Sequence, residues 1–156
     1  MLNWMLEEVQ LFKGISPEVF NQMAEWIVEN EMWPKRRADV LKEIDIHRRS
    51  GVKVAIVSGA YQPIVDAFAM RMDAVAIGSP IVYRENRLVG LQLPINAYEH
   101  KAESIQVQVG DAEILVAYGD TLSDLPMLEM SQEPVGVSPD KKMRKVMVER
   151  GWRIIE

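Results

Sequence analysis

From Pro34 onward, the chain alternates short apolar runs with amphipathic segments, and this alternation restricts the fold more than any other feature of the sequence. Short runs rich in valine, isoleucine and alanine are typical of strands that are buried on both faces, and the segments between them have the spacing of helices that cover a sheet. The apolar runs are "VKVAIV", "DAVAI", "ILVAY" and "PVGV". This pattern predicts an α/β fold built on a Rossmann-like, doubly wound parallel sheet.

Turn and cap residues define further elements of this α/β part. The segment "IVYRENRLVGLQL" predicts a β-hairpin whose turn is centred on Glu85 and Asn86. Near the end of the sequence, Asp140 precedes "KKMRKVMVER" and Gly151 follows it, which indicates a helix with an acidic N-cap and a glycine C-cap.

The first 34 residues have a different, helical pattern. Ser16 is a suitable N-cap, Pro17 occupies the first helical position, and apolar residues recur at helical spacing as far as Ile27. We therefore divide the sequence into a helical segment, residues 1–34, and an α/β core, residues 35–156.

Composition excludes several classes of protein. The formal net charge of −5 argues against binding to nucleic acids or anionic membranes, which normally requires a basic face. Cysteine is absent, so disulfides, thiolate metal sites and cysteine nucleophiles are excluded. Glu7 and Glu8 do not suit a signal peptide, and no apolar stretch approaches the ~20 residues of a membrane span. We expect a cytoplasmic protein that acts on a small molecule or binds a protein partner.

Residues that directly follow strands are the candidates for chemistry, because parallel sheets bind ligands beyond the carboxyl ends of their strands. The first candidate is Ser58-Gly59-Ala60, after "VKVAIV". A small hydroxyl followed by glycine allows a tight turn whose backbone N–H groups can bind a phosphate at the start of the next helix. An ordinary strand-to-helix turn has the same residues, so both interpretations stay open here.

Two carboxylates, Asp120 and Asp124, follow the strand "ILVAY". Both could simply cap a helix that begins near Ser123, where the helix dipole favours negative charge. A hard cation such as Mg²⁺ also prefers one or two carboxylates, with water and substrate phosphate completing its ligands. Asp124 can serve both purposes, whereas Asp120 lies outside the helix and fits the metal interpretation better.

Lys101, in "YEHKAESI", is a lone lysine. Such a residue is normally solvated, and only a neighbouring phosphate site and metal site would make it a charge clamp on a phosphoryl group.

In this order, the segments resemble motifs of the haloacid dehalogenase superfamily of phosphohydrolases, in particular its phosphoserine phosphatase-like subclass. "HRRSGVKVAIVSGAYQPIV" resembles the second motif of the family, "EHK" the third and "YGDTLSDLPML" the fourth, and "PVGVSPDKKMRKVMVERGW" resembles its usual ending. The resemblance runs from about Pro34 to Glu156. Each motif alone is ambiguous, but their combination in this order is specific.

The resemblance implies Mg²⁺-dependent hydrolysis of a small phosphorylated metabolite. Ser58, with Gly59 beside it, would bind the phosphoryl oxygens, and Lys101 would neutralise the phosphate and the attacking group. Asp120 would coordinate Mg²⁺, and Asp124 would support that metal or orient Lys101. Residues 1–34 would form part of the small helical cap of this subclass.

One departure from the family is large. Its first motif, Asp-x-Asp-x-Thr or Asp-x-Asp-x-Val after a hydrophobic strand, is absent from the sequence. In the family this motif supplies the aspartate that attacks phosphorus and the general acid/base. Its strand lies at the centre of the sheet, so we expect the central first strand to be missing and two apolar strand edges to be unpaired.

Three explanations for this departure are a chain truncated at its N-terminus, a domain completed by another polypeptide, and a relative that has lost activity. The first leads us to expect an inactive fragment of a phosphatase that works through an aspartyl-phosphate. The alternative is a catalytically dead binding or interaction module. An unrelated nucleotide-binding domain is less consistent with the sequence, which has no glycine-rich loop after a strand. An exposed gap in the sheet would favour a homo-oligomer.

Overall fold

The computed structural model of the protein describes residues 2–156, with side chains described from Trp4 onward. The chain divides into two compact units, Met1–Ile95 and Asn96–Glu156, which we call the N-terminal and the C-terminal unit. Within residues 2–156, no helix has the length and apolar character needed to cross a membrane.

The N-terminal unit combines helices with a parallel strand pair and a hairpin. Its helices are α1 (Leu2–Leu11), α2 (Pro17–Ile27), α3 (Ala38–Arg49) and α4 (Gln62–Met70). Its strands are β1 (Ala55–Tyr61), β2 (Val75–Ser79), β3 (Ile81–Arg84) and β4 (Arg87–Leu91). A π-helical turn, Val28–Met32, and a 3₁₀ turn, Trp33–Lys35, follow α2.

The start of α2 agrees with its sequence signals. The Ser16 hydroxyl accepts a hydrogen bond from the Val19 amide at 3.4 Å, and Pro17 occupies the first turn. The helix buries Phe20 and Ala24. These contacts confirm the predicted cap. The predicted apolar face is buried only in part, because Val19 and Met23 are exposed.

Tyr61, the last residue of β1, connects the N-terminal helices to the sheet. Its hydroxyl donates a hydrogen bond to the Met5 carbonyl at 3.1 Å, and its ring lies edge-on to Phe20 with ring centroids 6.0 Å apart. Phe20 in turn packs edge-on against Phe12. Residues 1–34 therefore belong to the same compact unit as β1, while their role as a cap stays a prediction.

The end of β1 differs from the prediction. The sequence pattern ends the strand at Val57 and begins a turn at Ser58, but in the structure β1 continues to Tyr61. The pairing with β2 is interrupted after Val57 and resumes where Tyr61 pairs with Ser79. Because this second pairing depends on a residue distant in the sequence, the local pattern gave the wrong boundary.

The predicted hairpin is confirmed. Strands β3 and β4 pair in antiparallel fashion, and Glu85 and Asn86 form the turn with φ angles of 49° and 61°. Positive φ at both central residues is the conformation of the turn that matches the twist of a two-residue hairpin.

The C-terminal unit is a three-stranded parallel sheet with helices. Its elements are α5 (Glu99–Val109), β5 (Ile114–Gly119), a 3₁₀ turn (Leu122–Asp124), α6 (Leu125–Glu129), β6 (Ser131–Val137), α7 (Lys141–Arg150) and β7 (Arg153–Ile155). Asp140 caps α7, since its carboxylate accepts from the Met143 amide at 2.8 Å, and Gly151 ends the helix at φ 66°. Both predicted ends of this helix are confirmed.

The sheet topology confirms the α/β class with parallel strands. It also shows that the paired strands are neighbours in the sequence. The strand orders are β1-β2, β3-β4 and β5-β6-β7, so every pairing within residues 2–156 joins strands that are consecutive in the chain. As a result, β1 and β5 are both edge strands of their own sheets.

Candidate functional site

Lys101 and Asp124 form a buried ion pair in the C-terminal unit. Lys101 lies in the first turn of α5, and its ammonium group donates a hydrogen bond to Oδ1 of Asp124. The side chains are only 9% and 7% exposed, respectively. Of the two interpretations of Lys101, a solvated surface lysine is therefore wrong.

The second oxygen of Asp124 organises the turn that follows β5. Oδ2 accepts hydrogen bonds from the amides of Asp120 and Thr121, both at 3.1 Å, and from the Thr121 hydroxyl at 3.2 Å. The Thr121 side chain completes a reciprocal capping box at this turn. Asp124 thus caps the turn and binds Lys101 at the same time.

A glycine permits this close approach. A Cβ atom at Gly119 would lie 2.7 Å from the Cβ atom of Asp124. Any larger residue at position 119 would have to displace the carboxylate that binds Lys101.

The pKa of the Asp124 carboxyl reflects this environment. Burial by itself would raise its pKa, but the Lys101 ammonium and the Thr121 and Asp120 amides outweigh burial and lower the pKa below its ordinary value of 3.8. Asp124 is therefore ionised throughout the neutral range, and its negative charge is matched by Lys101.

Asp120 differs from Asp124 both in its exposure to solvent and in the direction of its pKa shift. Its side chain is exposed, and its backbone carbonyl accepts a hydrogen bond from the Asp140 amide at 2.9 Å, which ties the end of β5 to the loop after β6. Although the side chain is exposed, the surrounding protein removes part of the water around its carboxyl, and this desolvation together with the neighbouring Asp124 raises the pKa of Asp120 above 3.8. Asp120 therefore presents a carboxylate that an additional positive charge would stabilise.

The three side chains Lys101, Asp120 and Asp124, which we call the Lys101 cluster, are compatible with a divalent cation. With both carboxylates ionised, one ammonium leaves a net negative charge, and the exposed Asp120 is the carboxylate within reach of solvent. Within residues 2–156, no three acidic, histidine or cysteine side chains are grouped as a complete metal site. A bound Mg²⁺ would therefore take its other ligands from water and phosphate, as this cation commonly does.

The other candidate residues lie in the N-terminal unit, in the part of β1 where the pairing with β2 is interrupted. We call Ser58, Gly59 and Ala60 the 58–60 segment. The Ala60 amide donates a hydrogen bond to Oγ of Ser58 at 3.2 Å, and Ser58 is half-buried. The segment leads directly through Tyr61 into α4, which has Pro63 in its first turn.

Residues 4–129 match the family model of the haloacid dehalogenase-like hydrolases. The chain belongs to this hydrolase family. Because the match covers most of the sequence, the family is assigned from both units and not from a single motif.

Similar proteins agree with the haloacid dehalogenase-like assignment. The chain is 28% identical over 155 residues to an inhibition of morphological differentiation protein of Streptomyces azureus, covering 95% of this chain and 53% of that protein. It is 26% identical over 148 residues to a phosphoserine phosphatase of Mycobacterium tuberculosis, covering 90% of this chain and 45% of that protein. The chain thus spans about half the length of these curated relatives.

A solved structure supports the fold. A protein of unknown function from Bordetella pertussis superposes with a TM-score of 0.84 at 19% identity, covering 95% of this chain and 70% of that one. At this identity the likeness concerns the haloacid dehalogenase-like fold alone.

Two residues that support the candidate sites of this haloacid dehalogenase-like chain were not predicted from the sequence. Thr121 completes the capping box with Asp124, and its signal was present, since a hydroxyl residue three positions before an acid is a capping pattern. Ser79, whose hydroxyl binds the Gly59 carbonyl, gave no local signal because it lies on a different strand.

Proposed function

We propose that this chain carries the phosphate-binding and metal-binding residues of a Mg²⁺-dependent phosphomonoester hydrolase. The observation that carries the proposal is the Lys101 cluster: a buried lysine bound to Asp124, beside an exposed Asp120 of raised pKa. Burying a charge pair is costly, and stability alone does not require it. A phosphoserine phosphatase among the relatives supports the same chemistry.

Each candidate residue has a distinct task in this proposal. Ser58 and Gly59 bind the phosphoryl oxygens through the hydroxyl and the backbone. Lys101 neutralises phosphate charge, and Asp124 orients Lys101, because both of its oxygens already accept internal hydrogen bonds. Such positioning and charge neutralisation make up most of what a protein contributes to phosphoryl transfer.

Asp120 is the proposed metal ligand in this chain. When bound, Mg²⁺ supplies charge stabilisation at the phosphoryl oxygens. For Asp124, the contacts favour the orienting task over direct metal binding, and its role as a metal ligand stays a prediction.

Turnover through an aspartyl-phosphate requires an attacking aspartate, and the sequence has no Asp-x-Asp motif. We therefore expect residues 1–156 to bind phosphate and Mg²⁺ without hydrolysing an ester. The edge position of β1 and of β5 leaves each sheet open to the strand that would carry such a motif. Residues 1–34 serve in this proposal as part of a helical cap that selects a small phosphorylated metabolite.

The absent motif also supports a second candidate, a binding module that retains the phosphate and metal sites without catalysis. The two candidates differ in what an extended chain does. If the gene encodes an in-frame strand ending in Asp-x-Asp upstream of Met1, the extended protein should release phosphate from an aryl phosphate in the presence of Mg²⁺. An extended protein that binds phosphate without turnover supports the binding module.

The protein of residues 1–156 provides the direct test. Purified protein should show a higher melting temperature in MgCl₂, and Asp120→Asn should remove that increase. Glu149→Gln, on the exposed face of α7, is the matched control, because it also replaces a carboxylate with an amide of equal length, and it should respond to MgCl₂ like the parent protein. Phosphate release from an aryl phosphate by residues 1–156, or the absence of both Mg²⁺ and phosphate binding, contradicts the proposal.

A further inference from the structure

The 58–60 segment lies where β1 departs from regular pairing with β2. Val57 pairs with Ile77, and the next pair is Tyr61 with Ser79. Three residues of β1 therefore face the single residue Gly78 of β2. Buried backbone groups in such an irregular stretch need partners other than the strand ladder.

Ser79 supplies one of these partners. Its hydroxyl donates a hydrogen bond to the Gly59 carbonyl at 2.9 Å, and its relative exposure is 0%. A buried hydroxyl of this kind sets the direction of the carbonyl it binds, because leaving either group unpaired would be unfavourable.

The hydrogen bond from Ser79 has a consequence for the next amide. In a trans peptide the carbonyl oxygen and the amide hydrogen point in opposite directions across the C–N bond. Once Ser79 fixes the Gly59 carbonyl, the Ala60 N–H points away from Ser79, and it donates to Oγ of Ser58 at 3.2 Å. The orientation of the Ser58 hydroxyl is therefore connected through one peptide plane to Ser79.

Gln62 holds the strand that carries Ser79. Its side-chain oxygen accepts from the Gly78 amide at 2.6 Å, and its side-chain nitrogen donates to the Ala76 carbonyl at 3.3 Å. The approach is so close that a Cβ atom on Gly78 would lie 2.8 Å from the Gln62 Cα atom. The first residue of α4 therefore holds β2 in register beside the 58–60 segment.

We infer that Ser79 is a positioning residue for phosphate binding by the 58–60 segment. It acts through the Gly59 carbonyl and the Ala60 amide and makes no contact with the phosphate itself. The inference rests on the proposed function, and it adds a residue of β2 to a site that the sequence motif confines to β1 and α4.

Titration with inorganic phosphate, followed by amide NMR signals of Gly59 and Ala60, tests this inference on residues 1–156. The parent protein should show saturable shifts at both amides. Ser79→Ala should weaken phosphate binding about tenfold, which corresponds to one lost, well-placed hydrogen bond. Ser79→Thr keeps the hydroxyl and should bind within about twofold of the parent protein.

Two further variants separate positioning from general destabilisation. Ser131→Ala removes a similar hydrogen bond, from Ser131 to the Leu128 carbonyl at 2.8 Å, in the C-terminal unit, and should leave phosphate binding unchanged. If Ser79→Ala does not fold, Ser79→Cys fills the site with a slightly larger thiol that is a much weaker donor than the hydroxyl, and should show the same weakening.

The outcomes distinguish this inference from the proposed function. Saturable binding by the parent protein with equal affinity in Ser79→Ala overturns the positioning role and leaves the proposed function intact. Equal losses in Ser79→Ala and Ser131→Ala also overturn it. If the parent protein gives no phosphate-dependent shift at Gly59 or Ala60, the proposed function fails at this segment and the inference fails with it.

Discussion

Lys101 donates a hydrogen bond from its ammonium group to Oδ1 of Asp124, with both side chains withdrawn from solvent. The two residues come from different elements, α5 and the turn after β5, and the pair fixes these elements to one another. Most long charged side chains stay hydrated, so a lysine in this position indicates a structural or chemical demand for its charge.

Removing the charge of Lys101 should destabilise the fold. Lys101→Met leaves the Asp124 carboxylate buried without its cation, and we expect the free energy of unfolding to fall by about 3 kcal/mol. Urea denaturation measures this change. Lys145→Met, which removes an exposed lysine 3.8 Å from Glu149, is the control and should have little effect. Equal losses in the free energy of unfolding would show that the buried Lys101–Asp124 pair stabilises the fold no more than an exposed ion pair does.

The pH dependence of stability should reflect the lowered pKa of Asp124. In the unfolded chain its carboxyl returns to about 3.8, so the unfolded state binds protons first as the solution is acidified. The stabilisation is complete above that value and is lost as the pH falls through the lower folded-state pKa. Asp124→Asn should be less stable than the parent protein at neutral pH, and this difference should shrink in acid. A stability difference between the two proteins that stays constant across the acid range would be inconsistent with a lowered pKa of Asp124.

Unlike Asp124, an ionised Asp120 should destabilise the folded protein at neutral pH. Its pKa is higher in the folded than in the unfolded protein, so the ionised carboxylate opposes folding at neutral pH. Asp120→Asn should therefore raise the melting temperature of the metal-free protein slightly, because solvent screens this exposed group, and the gain should disappear as the pH falls below the ordinary value of 3.8. Thermal unfolding in the presence of EDTA measures this change. A lower melting temperature for Asp120→Asn than for the parent protein at neutral pH would contradict a raised pKa of Asp120.

Position 119 should accept only glycine. Gly119→Ala places a methyl group against Asp124, and we expect a loss of about 1–3 kcal/mol in the free energy of unfolding. Gly90→Ala is the matched control, since no atom lies within 4 Å of its added methyl group and the residue lies in a strand. Chemical denaturation of both variants should separate them clearly, and similar stabilities would mean that Asp124 can move without cost.

Asp140 should act as a helix cap. Asp140→Ala removes the acceptor of the Met143 amide and should cost about 1 kcal/mol, whereas Asp140→Asn keeps an oxygen acceptor and should cost only a few tenths. Neither variant should alter the increase in melting temperature caused by MgCl₂. A loss of that increase in Asp140→Asn would instead assign Asp140 to the metal site.

The parts of the fold set by local signals could be predicted from the sequence. Ser16 and Asp140 form the expected caps, and Glu85 and Asn86 form the expected turn, because each depends on residues close in the chain. The strand-end position of Asp120 followed from the same reasoning.

Other features of the structure depend on contacts between residues that are distant in the chain, and they could not be predicted from the sequence. The end of β1 is set by the pairing of Tyr61 with Ser79, and the burial of Lys101 is set by Asp124, 23 residues away. The position of Ser79 beside Gly59 likewise arises only when β1 and β2 pair, since the hydrogen bond spans 20 residues. Local periodicity contains no information on such pairings.

Within residues 2–156, every strand pairs with a strand that is its neighbour in the sequence, and this affects how the chain folds during synthesis. Each strand finds its partner within the next segment to leave the ribosome, so the loops to be closed are short and their entropic cost is small. The strand pairings of the N-terminal unit, β1 with β2 and β3 with β4, can form once residue 95 has emerged, before the Lys101 cluster has left the ribosome.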